Sequence, residues 1–352
     1  MCGRPLHHKA SGPAAFFLVG PTGMGKTAVS QVLAESEGCD ILSADSMLVY
    51  RGMDIGTAKP TREEQSRVSY WGIDLVTPET PFSVGAWYRH AGQAIAETRK
   101  AGRKLIVTGG TGLYIKSLTH GLDDLPPARE DIRRRAEDLY DRQGLSGLQE
   151  QLRRLDPEHY ERVRDKNNPR RLIRAIELAE QGAPAVRSWE AGSAERPLPP
   201  DQVSCPDRGR DGFPADSRNH PASLSSHPLI GLISDMEDLY TEIGKRARRM
   251  FKEGLLDEIK VLTDTYPKLS ETAREAIGYR EGMGVLEGRI TVPEAIEQTA
   301  MRTRRLAKRQ MTWFRHQAHV HWIRINPGTS RREVAEHVRK IWSVHGPTPL
   351  AH

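Results

Sequence analysis

A glycine-rich loop between a predicted strand and a predicted helix carries the clearest chemical signal in the chain. Residues 20–27 read GPTGMGKT, which fits the P-loop pattern G-x-x-x-x-G-K-[ST] and follows the short apolar run 15–19. Glycines let consecutive backbone N–H groups point inward, and the partial positive charge of the helix N-terminus lies where a phosphate chain would bind. Lys26 can then reach the terminal phosphates, and the Thr27 hydroxyl can bind Mg²⁺. The predicted phosphate site comprises Gly20, Pro21, Thr22, Gly23, Met24, Gly25, Lys26 and Thr27.

A second candidate group, Asp45, follows the run 39–43 at the end of another predicted strand. In an open parallel sheet, groups just past the carboxyl ends of the strands face the ligand crevice. Asp45 would then lie near Lys26 and could accept a proton from an attacking group. Considered alone, it fits the aspartate of a turn or a helix N-cap equally well.

A third group of candidate residues lies in the segment 109–114, GGTGLY, directly after the run 104–108. Three glycines permit a close approach of the backbone to a ligand, and the Thr111 hydroxyl can either contact that ligand or cap a helix. A capped helix start explains the segment at least as well when it is taken alone. Together with Asp45 and the P-loop, it would bring three strand ends to one crevice, which favours a binding site.

Alternating strand and helix patterns supply the framework that would position these groups. Helical spacing separates the short apolar runs up to residue 121, as expected for a parallel sheet covered on both faces. We therefore predict an α/β fold, with a P-loop NTPase-like parallel sheet flanked by helices and a mostly helical insertion domain. The predicted strands are 15–19, 39–43, 70–76, 104–108, 229–234 and 320–325, and the predicted helices are 27–37, 84–100, parts of 129–181, most of 237–316 and 330–344.

The character of the chain changes at three points, which predicts four segments. Residues 14–122 would form the first part of the P-loop core, and residues 229–345 its second part, with basic helices. Residues 123–184 would form the helical insertion. Residues 185–228 are rich in Pro, Ser and Gly and contain few large apolar side chains. Because they cannot bury enough surface to offset their ordering entropy, we expect a flexible loop there.

Composition excludes several classes of protein. The chain has 352 residues, enough for two domains, and no apolar run approaches the roughly 20 residues of a membrane helix. Its three cysteines lie far apart, so we predict neither a disulfide framework nor a zinc site, and a reducing cytoplasm fits. The histidines do not suggest a metal site either. Nothing in the sequence demands more than a monomer.

Basic residues outnumber acidic ones by 52 to 46, and they are unevenly distributed. Clusters lie at 245–252, at 302–315 with two aromatic residues interleaved, and at 170–174, where three arginines have helical spacing. Basic stripes with nearby aromatic side chains suit phosphate backbones and the splayed bases of single-stranded RNA loops. A solvated helix face explains each cluster alone, but three clusters beside a phosphate site favour a nucleic acid or another polyphosphate ligand.

At this point the sequence resembles a known family, the tRNA dimethylallyltransferases, also called tRNA isopentenyltransferases. The similar blocks occur in the order of the family and span most of residues 14–325. The long block that runs from Asp45 to Pro60 is highly specific. The blocks are 20–27, 43–60, 109–114, 168–174, 276–280 and 306–314, the last followed by Arg315.

The resemblance implies a reaction, its substrates and the roles of several residues. The family transfers a dimethylallyl group from dimethylallyl diphosphate to N6 of adenosine 37, beside the tRNA anticodon. By that resemblance the P-loop binds a diphosphate leaving group, Asp45 is the base for the N6 amino group, and Thr27 with Mg²⁺ steadies the diphosphate together with Lys26. Arg246 matches the diphosphate-binding arginine of the family, and neutralising the leaving group would be the main electrostatic contribution.

The resemblance also implies a set of contacts with the anticodon loop of tRNA, in which the target adenine is flipped out of its stack. Met47 and Leu48 stand where many members have Arg-Gln, so base-edge contacts at these two positions would differ from those members. The implied tRNA-binding residues are Asp45, Ser46, Met47, Leu48, Thr111, Arg133, Arg170, Arg171, Leu172, Ile173, Arg174, Ile277, Gly278, Tyr279, Arg280, Lys308, Arg309 and Arg315.

Two other classes of function remain open at the level of the residues. A small-molecule kinase would use the P-loop for ATP and Asp45 to activate a hydroxyl group. That alternative explains the phosphate site equally well but leaves the basic helical insertion without a task. A non-catalytic RNA-binding protein with a P-loop is the third possibility, and turnover by the wild-type protein separates it from the two enzymes.

Overall fold

A computed structural model of the chain describes residues 12–123, 125–186 and 228–351. The chain splits into two compact units, one within Met1–Gly121 and Pro197–His352 and the other within Leu122–Arg196. Most of the predicted loop 185–228 lies outside the described residues, so the loop stays a prediction. Within the described ranges, no helix combines the length and the apolar character needed to cross a membrane.

The first unit is an α/β structure built on a parallel sheet. Its strands run in the order β3-β2-β4-β1-β5-β6, all parallel, and the short β7 pairs antiparallel with β1. The elements of this unit are β1 (Ala14–Val19), α1 (Lys26–Glu37), β2 (Cys39–Ala44), α2 (Arg62–Arg67), β3 (Tyr70–Trp71), α3 (Val84–Lys100), β4 (Lys104–Gly109), α4 (Gly112–His120), β5 (Leu229–Ile233), α8 (Met236–Lys252), α9 (Leu255–Thr265), α10 (Glu271–Arg274), α11 (Tyr279–Leu286), α12 (Val292–Gln317), β6 (Val320–Arg324), α13 (Arg331–His345) and β7 (Thr348–Pro349).

Burial of the central strands explains why short apolar runs were sufficient to predict them. Every residue of β2 and β5 is buried, as are the last five residues of both β1 and β4. Strands covered on both faces are apolar throughout rather than alternating. The parallel register aligns Val19 with Gly109 and Ala44 with Gly109, so the ends of β1, β2 and β4 meet at one edge. The predicted parallel sheet is confirmed.

The strand predicted at residues 70–76 is wrong beyond Trp71. Gly72 has φ of 78°, and a Cβ atom there would lie only 2.7 Å from the Ser43 carbonyl oxygen. This left-handed residue turns the chain out of the sheet. The following residues pair instead with the segment after β2, where the Leu75 amide donates to the Val49 carbonyl at 2.8 Å.

The second unit is helical in its described residues. It consists of α5 (Glu130–Leu155), α6 (Pro157–Arg162) and α7 (Pro169–Glu180). The side chains of Asp156 and Asn168 cap α6 and α7, each followed by Pro at the first helical position. The core of the unit contains Ile132, Ala136, Leu148, Leu152, Tyr160, Leu172, Ile173, Ala175 and Ile176.

Candidate active site

The P-loop leaves the sheet at the end of β1 and opens α1. Gly20 has φ of 135°, and a Cβ atom there would lie 2.6 Å from the Leu232 carbonyl oxygen on β5. Gly25 is left-handed, with φ of 71°, and occupies the N-cap position of α1 without a side-chain cap. Because glycine at the N-cap has no side chain to accept from the first amides of this helix, these amides can bind an anion, as in other phosphate-binding helix N-termini.

Lys26 lies inside the P-loop, where its ammonium group donates to the Pro21 carbonyl at 2.8 Å. Burial lowers the pKa of Lys26 from 10.5 to about 8, Asp45 opposes this decrease, and Arg246 adds to it. The direction follows from the cost of holding a cation in dehydrated surroundings. A bound phosphate chain would supply the negatively charged partner that the buried ammonium group lacks.

Arg246 reaches the P-loop from α8. Its guanidinium donates to the Thr22 hydroxyl at 3.4 Å and to the Thr57 carbonyl at 3.2 Å. Burial lowers the pKa of Arg246, and the Asp45 carboxylate opposes that decrease. Since arginine stays protonated in proteins, the site holds a dehydrated cation beside the phosphate loop. The other basic residues of the 245–252 cluster are exposed.

Asp45 follows β2 in a turn next to the segment after β4. Its carboxylate accepts from the Met47 amide at 2.9 Å, and the Thr111 hydroxyl accepts from the Ser46 amide at 3.1 Å. Thr111 occupies the N-cap position of α4 but makes no side-chain cap there. The alternative in which this hydroxyl caps a helix is therefore wrong, because the hydroxyl binds the Asp45 turn instead. The ends of β1, β2 and β4 align at one edge of the sheet, and the Ser46–Thr111 hydrogen bond joins the Asp45 turn to the segment after β4. The three predicted strand-end groups therefore lie at the same edge of the sheet.

Gln310 on α12 connects two of these loops, a role that the sequence did not indicate. Its side-chain oxygen accepts from the Thr22 amide at 2.8 Å, and its side-chain nitrogen donates to the Gly110 carbonyl at 3.1 Å. A Cβ atom at Gly110 would lie 2.3 Å from that nitrogen. The glycine is thus required for the amide to bridge the P-loop and the segment after β4.

Arg331 is a second residue that sequence reasoning missed. It opens α13, and its Nη1 atom would lie 3.0 Å from a Cβ atom at Gly25. This places a further cation beside the first turn of α1. No motif marks it, because it lies more than 300 residues from the P-loop in the sequence.

Three of the predicted tRNA-binding side chains belong to cores. Tyr279 is 2% exposed in the first unit, and Leu172 and Ile173 are 0% and 7% exposed within the helical unit. Each of these side chains is packed among apolar neighbours. RNA contact at these three positions stays a prediction. Leu48 is also buried, and its contact with RNA stays a prediction.

Two predicted RNA-binding arginines have a partner inside the helical unit. Glu177 is fully buried, and its carboxylate accepts from Arg133 at 2.6 Å and from Arg174 at 3.0 Å. A buried carboxylate needs such partners, because an unpaired charge in a core is strongly destabilising. These arginines therefore have a structural role, whether or not RNA also contacts them.

The remaining predicted RNA-binding residues keep their side chains at or near the surface. Partly buried positions are Ser46, Met47 and Ile277, while the buried Gly278 is the N-cap residue of α11. RNA binding by these positions stays a prediction. The exposed members of the set are Arg170, Arg171, Arg280, Lys308, Arg309 and Arg315.

The described residues fit a magnesium ion that is held mainly by the phosphates of a bound substrate and by few protein atoms. Among residues 12–123, 125–186 and 228–351, no three His, Cys, Asp or Glu side chains form a group that could hold a metal. Mg²⁺ commonly binds one or two protein oxygens together with water and substrate phosphates. The Thr27 hydroxyl, in the first turn of α1 beside Lys26, is an oxygen of the required kind.

Comparisons with known proteins agree with this geometry. Residues 48–317 match the model of the family described as IPP transferase. The chain is 36% identical over 313 residues to tRNA dimethylallyltransferase 2 of Syntrophus aciditrophicus, covering 88% of this chain and 92% of that protein. It is 38% identical over 308 residues to tRNA dimethylallyltransferase of Geobacillus thermodenitrificans, covering 87% and 89%.

Solved structures share the fold. The full-length tRNA isopentenylpyrophosphate transferase of Bacillus halodurans superposes with a TM-score of 0.60 at 32% identity, covering 93% of this chain and 96% of that one. A eukaryotic dimethylallyltransferase acting on tRNA superposes with a TM-score of 0.63 at 19% identity, covering 94% and 76%. The match of the family model to most of the chain, and relatives above 30% identity over most of their length, show that this chain belongs to the IPP transferase family, the tRNA dimethylallyltransferases.

Proposed function

We propose that this protein transfers a dimethylallyl group from dimethylallyl diphosphate to N6 of adenosine 37 in tRNA, releasing diphosphate. The observation that carries the proposal is the geometry at the P-loop: Lys26 donates to Pro21, Arg246 donates to Thr22, and the Asp45 turn lies at the same edge of the sheet. Two dehydrated cations suit a diphosphate, and a carboxylate beside them suits a group that must lose a proton. Family membership supports the identity of both substrates.

The diphosphate would bind to the amides at the start of α1, with Lys26 and Arg246 on its oxygens. The N6 lone pair forms a bond to C1 of the prenyl group while the C1–O bond breaks, and its electron pair leaves with the diphosphate. The two cations neutralise the charge that develops on the departing oxygen, which is the electrostatic contribution expected to dominate. They are already in place before the reaction, so no reorganisation is required at that moment.

Asp45 would accept the proton that N6 loses as the new bond forms. Its carboxylate is held by the Met47 amide, and the neighbouring peptide is held by the Thr111 hydroxyl. Thr27 would hold Mg²⁺ on the diphosphate, and the ion would add positive charge to the leaving group.

The exposed basic residues on α7 and α12 would bind the tRNA backbone. Each phosphate contact releases counterions, so affinity for tRNA should fall steeply with salt concentration. Two exposed cations of α12 lie near an aromatic ring of α8: Arg304 lies 5.2 Å and Lys308 5.8 Å from the ring centre of the partly buried Tyr240.

A label-transfer assay tests the proposed reaction. The purified protein is mixed with Mg²⁺, unmodified tRNA and radiolabelled dimethylallyl diphosphate, and label is counted in precipitated RNA. The control replaces the tRNA with one that lacks adenosine at position 37. Label that requires this adenosine supports the proposal, whereas ATP consumption without label would favour a kinase, and RNA binding without either would favour a non-catalytic protein.

A further inference from the structure

The carboxylate of Glu258 accepts hydrogen bonds from the backbone of the loop at residues 54–56, which follows the Asp45 turn in the sequence. Glu258 lies in the first turn of α9 and accepts from the Asp54 amide at 3.1 Å and the Ile55 amide at 2.8 Å. Its other oxygen accepts from the Gly56 amide at 3.5 Å and from the Tyr279 hydroxyl at 2.6 Å. Three consecutive backbone amides converging on one carboxylate fix the path of that loop, since such charge-assisted bonds are the strong ones.

Tyr279 closes this arrangement from the opposite side. It is buried, and a Cβ atom at Gly56 would lie 2.4 Å from its ring, so the ring packs directly on that peptide. Burial, with the nearby Glu258 carboxylate, raises the pKa of Tyr279 far above its usual value. The hydroxyl group therefore stays protonated and remains a donor to Glu258.

The loop fixed in this way holds Arg246. Thr57 directly follows Gly56, and its carbonyl accepts from the Arg246 guanidinium at 3.2 Å. Two residues further on, the buried Lys59 ammonium donates to the Tyr50 carbonyl at 2.8 Å and to Asp54 at 2.6 Å. Both ends of the segment 54–59 are thus anchored, and the Thr57 carbonyl between them has a defined position.

We propose that Glu258 and Tyr279 are positioning residues that orient Arg246 for diphosphate, acting through the peptide of Thr57. This inference rests on the proposed function for the role of Arg246. The guanidinium has only two described hydrogen bonds, to Thr22 and Thr57. If the loop moves, one of the two contacts that aim it at the P-loop is lost.

Binding of inorganic diphosphate to the full-length protein, measured by calorimetry, tests the inference without turnover. Glu258→Gln keeps the shape of the side chain but removes its charge and points an amide N–H₂ at backbone donors. We expect about a tenfold loss of diphosphate affinity, the lower end of the effect of groups that orient a ligand-binding residue. Tyr279→Phe removes one hydrogen bond and keeps the ring, so about a threefold loss is expected.

A double-mutant cycle separates positioning from general damage. If Glu258 acts through Arg246, then Glu258→Gln should cause no further loss of diphosphate affinity in an Arg246→Ala background. In turnover assays the KM for dimethylallyl diphosphate should rise while the affinity for tRNA stays unchanged. Glu297→Gln, on an exposed glutamate of α12, is the matched control and should behave like wild type.

Each outcome decides one question. Equal losses from Glu258→Gln with and without Arg246, or unchanged diphosphate affinity in the single variant, would overturn the positioning role. If Glu258→Gln does not fold, as its melting temperature would show, Tyr279→Phe carries the same cycle. A wild-type protein that neither binds diphosphate nor transfers label would instead overturn the proposed function, and the inference with it.

Discussion

The affinity for dimethylallyl diphosphate should fall as the pH rises above about 8. Burial lowers the pKa of Lys26 from 10.5 to about 8, so its ammonium group loses its proton there in the free protein. A bound diphosphate requires the charged form. Since the second pKa of a phosphate ester is about 6, the charge of the ligand stays nearly constant above neutrality.

The magnitude follows from the fraction of protein that is still charged at Lys26. At about pH 9 roughly one molecule in ten keeps the proton, so the dissociation constant should be about tenfold higher than at pH 7. Each further pH unit would add another factor of about ten until the pKa of the complex is reached. The measurement is the dissociation constant in the absence of tRNA, from about pH 7 to 9.5.

The free energy of unfolding should rise with pH in the range where the affinity for the diphosphate falls. Because the folded-state pKa of Lys26 lies below the unfolded value of 10.5, the unfolded chain binds more protons between about pH 8 and 10.5. The contribution of Lys26 to the free energy of unfolding therefore rises with pH through that window, by about 3 kcal/mol. Lys26→Met should be more stable than wild type below pH 8, and the difference should shrink above it.

A matched variant shows whether Lys26 is responsible. Lys26→Met should bind the diphosphate weakly and lack the change near pH 8, whereas Lys252→Met, on an exposed lysine of α8, should keep the wild-type profile. An affinity that stays flat between about pH 7 and 9.5, or the same slope in Lys26→Met, would refute the reasoning.

Three further substitutions test other parts of the structure. Asp45→Asn keeps an acceptor for the Met47 amide but removes the proton acceptor, so we expect kcat to fall by about 100-fold or more with unchanged tRNA affinity. A parallel loss of kcat and tRNA affinity would contradict a proton-accepting role. Gly112→Ala places a Cβ atom 2.2 Å from the Trp313 ring and should destabilise the protein by about 2 kcal/mol, measured by denaturant unfolding; an unchanged midpoint would show that the ring moves freely. Glu177→Gln should destabilise the helical unit by about 3 kcal/mol, because Arg133 and Arg174 lose their buried carboxylate partner. The melting temperature should fall, and a wild-type melting temperature would contradict that pairing.

Local chemistry made the conformation of the P-loop predictable from sequence. The P-loop glycines have the left-handed conformation that only glycine adopts readily, and the strand before them is a buried apolar run. The same reasoning failed at residues 72–76, because a single glycine ends a strand while the apolar residues beyond it pack against a different segment. Hydrophobic pattern alone does not distinguish these two ways of being buried.

Contacts between distant segments could not be predicted. Gln310 bonds to Thr22 across 288 positions, and Glu258 bonds to Ile55 across 203. Both side chains are ordinary polar residues on helices, and nothing in their own neighbourhood indicates a partner. The bond between Tyr279 and Glu258 could not be predicted for a related reason: a resemblance marks the segment but does not say whether a residue contacts the substrate or supports one that does.

Arg246 is the exception, because helical spacing alone distinguishes it from the cluster in which it lies. It is three residues from Ile243 and four from Met250, both buried, so it belongs to the apolar face of α8. A cation on such a face requires compensation. Arg302 on α12 has the same kind of position and donates to the buried Glu281 carboxylate at 2.5 Å, which neutralises it.

The type of partner then separates structural cations from those that await a ligand. Lys59 and Arg302 each donate to carboxylates, whereas the described hydrogen bonds of Lys26 and Arg246 go to carbonyl and hydroxyl oxygens. Neutral oxygens orient a cation without cancelling its charge. Burial then lowers the pKa of both Lys26 and Arg246, and only Asp45 opposes that decrease. In the proposed function a diphosphate would supply the missing negative charge. The same pair of cations that costs stability in the free protein would then provide the affinity for the donor substrate.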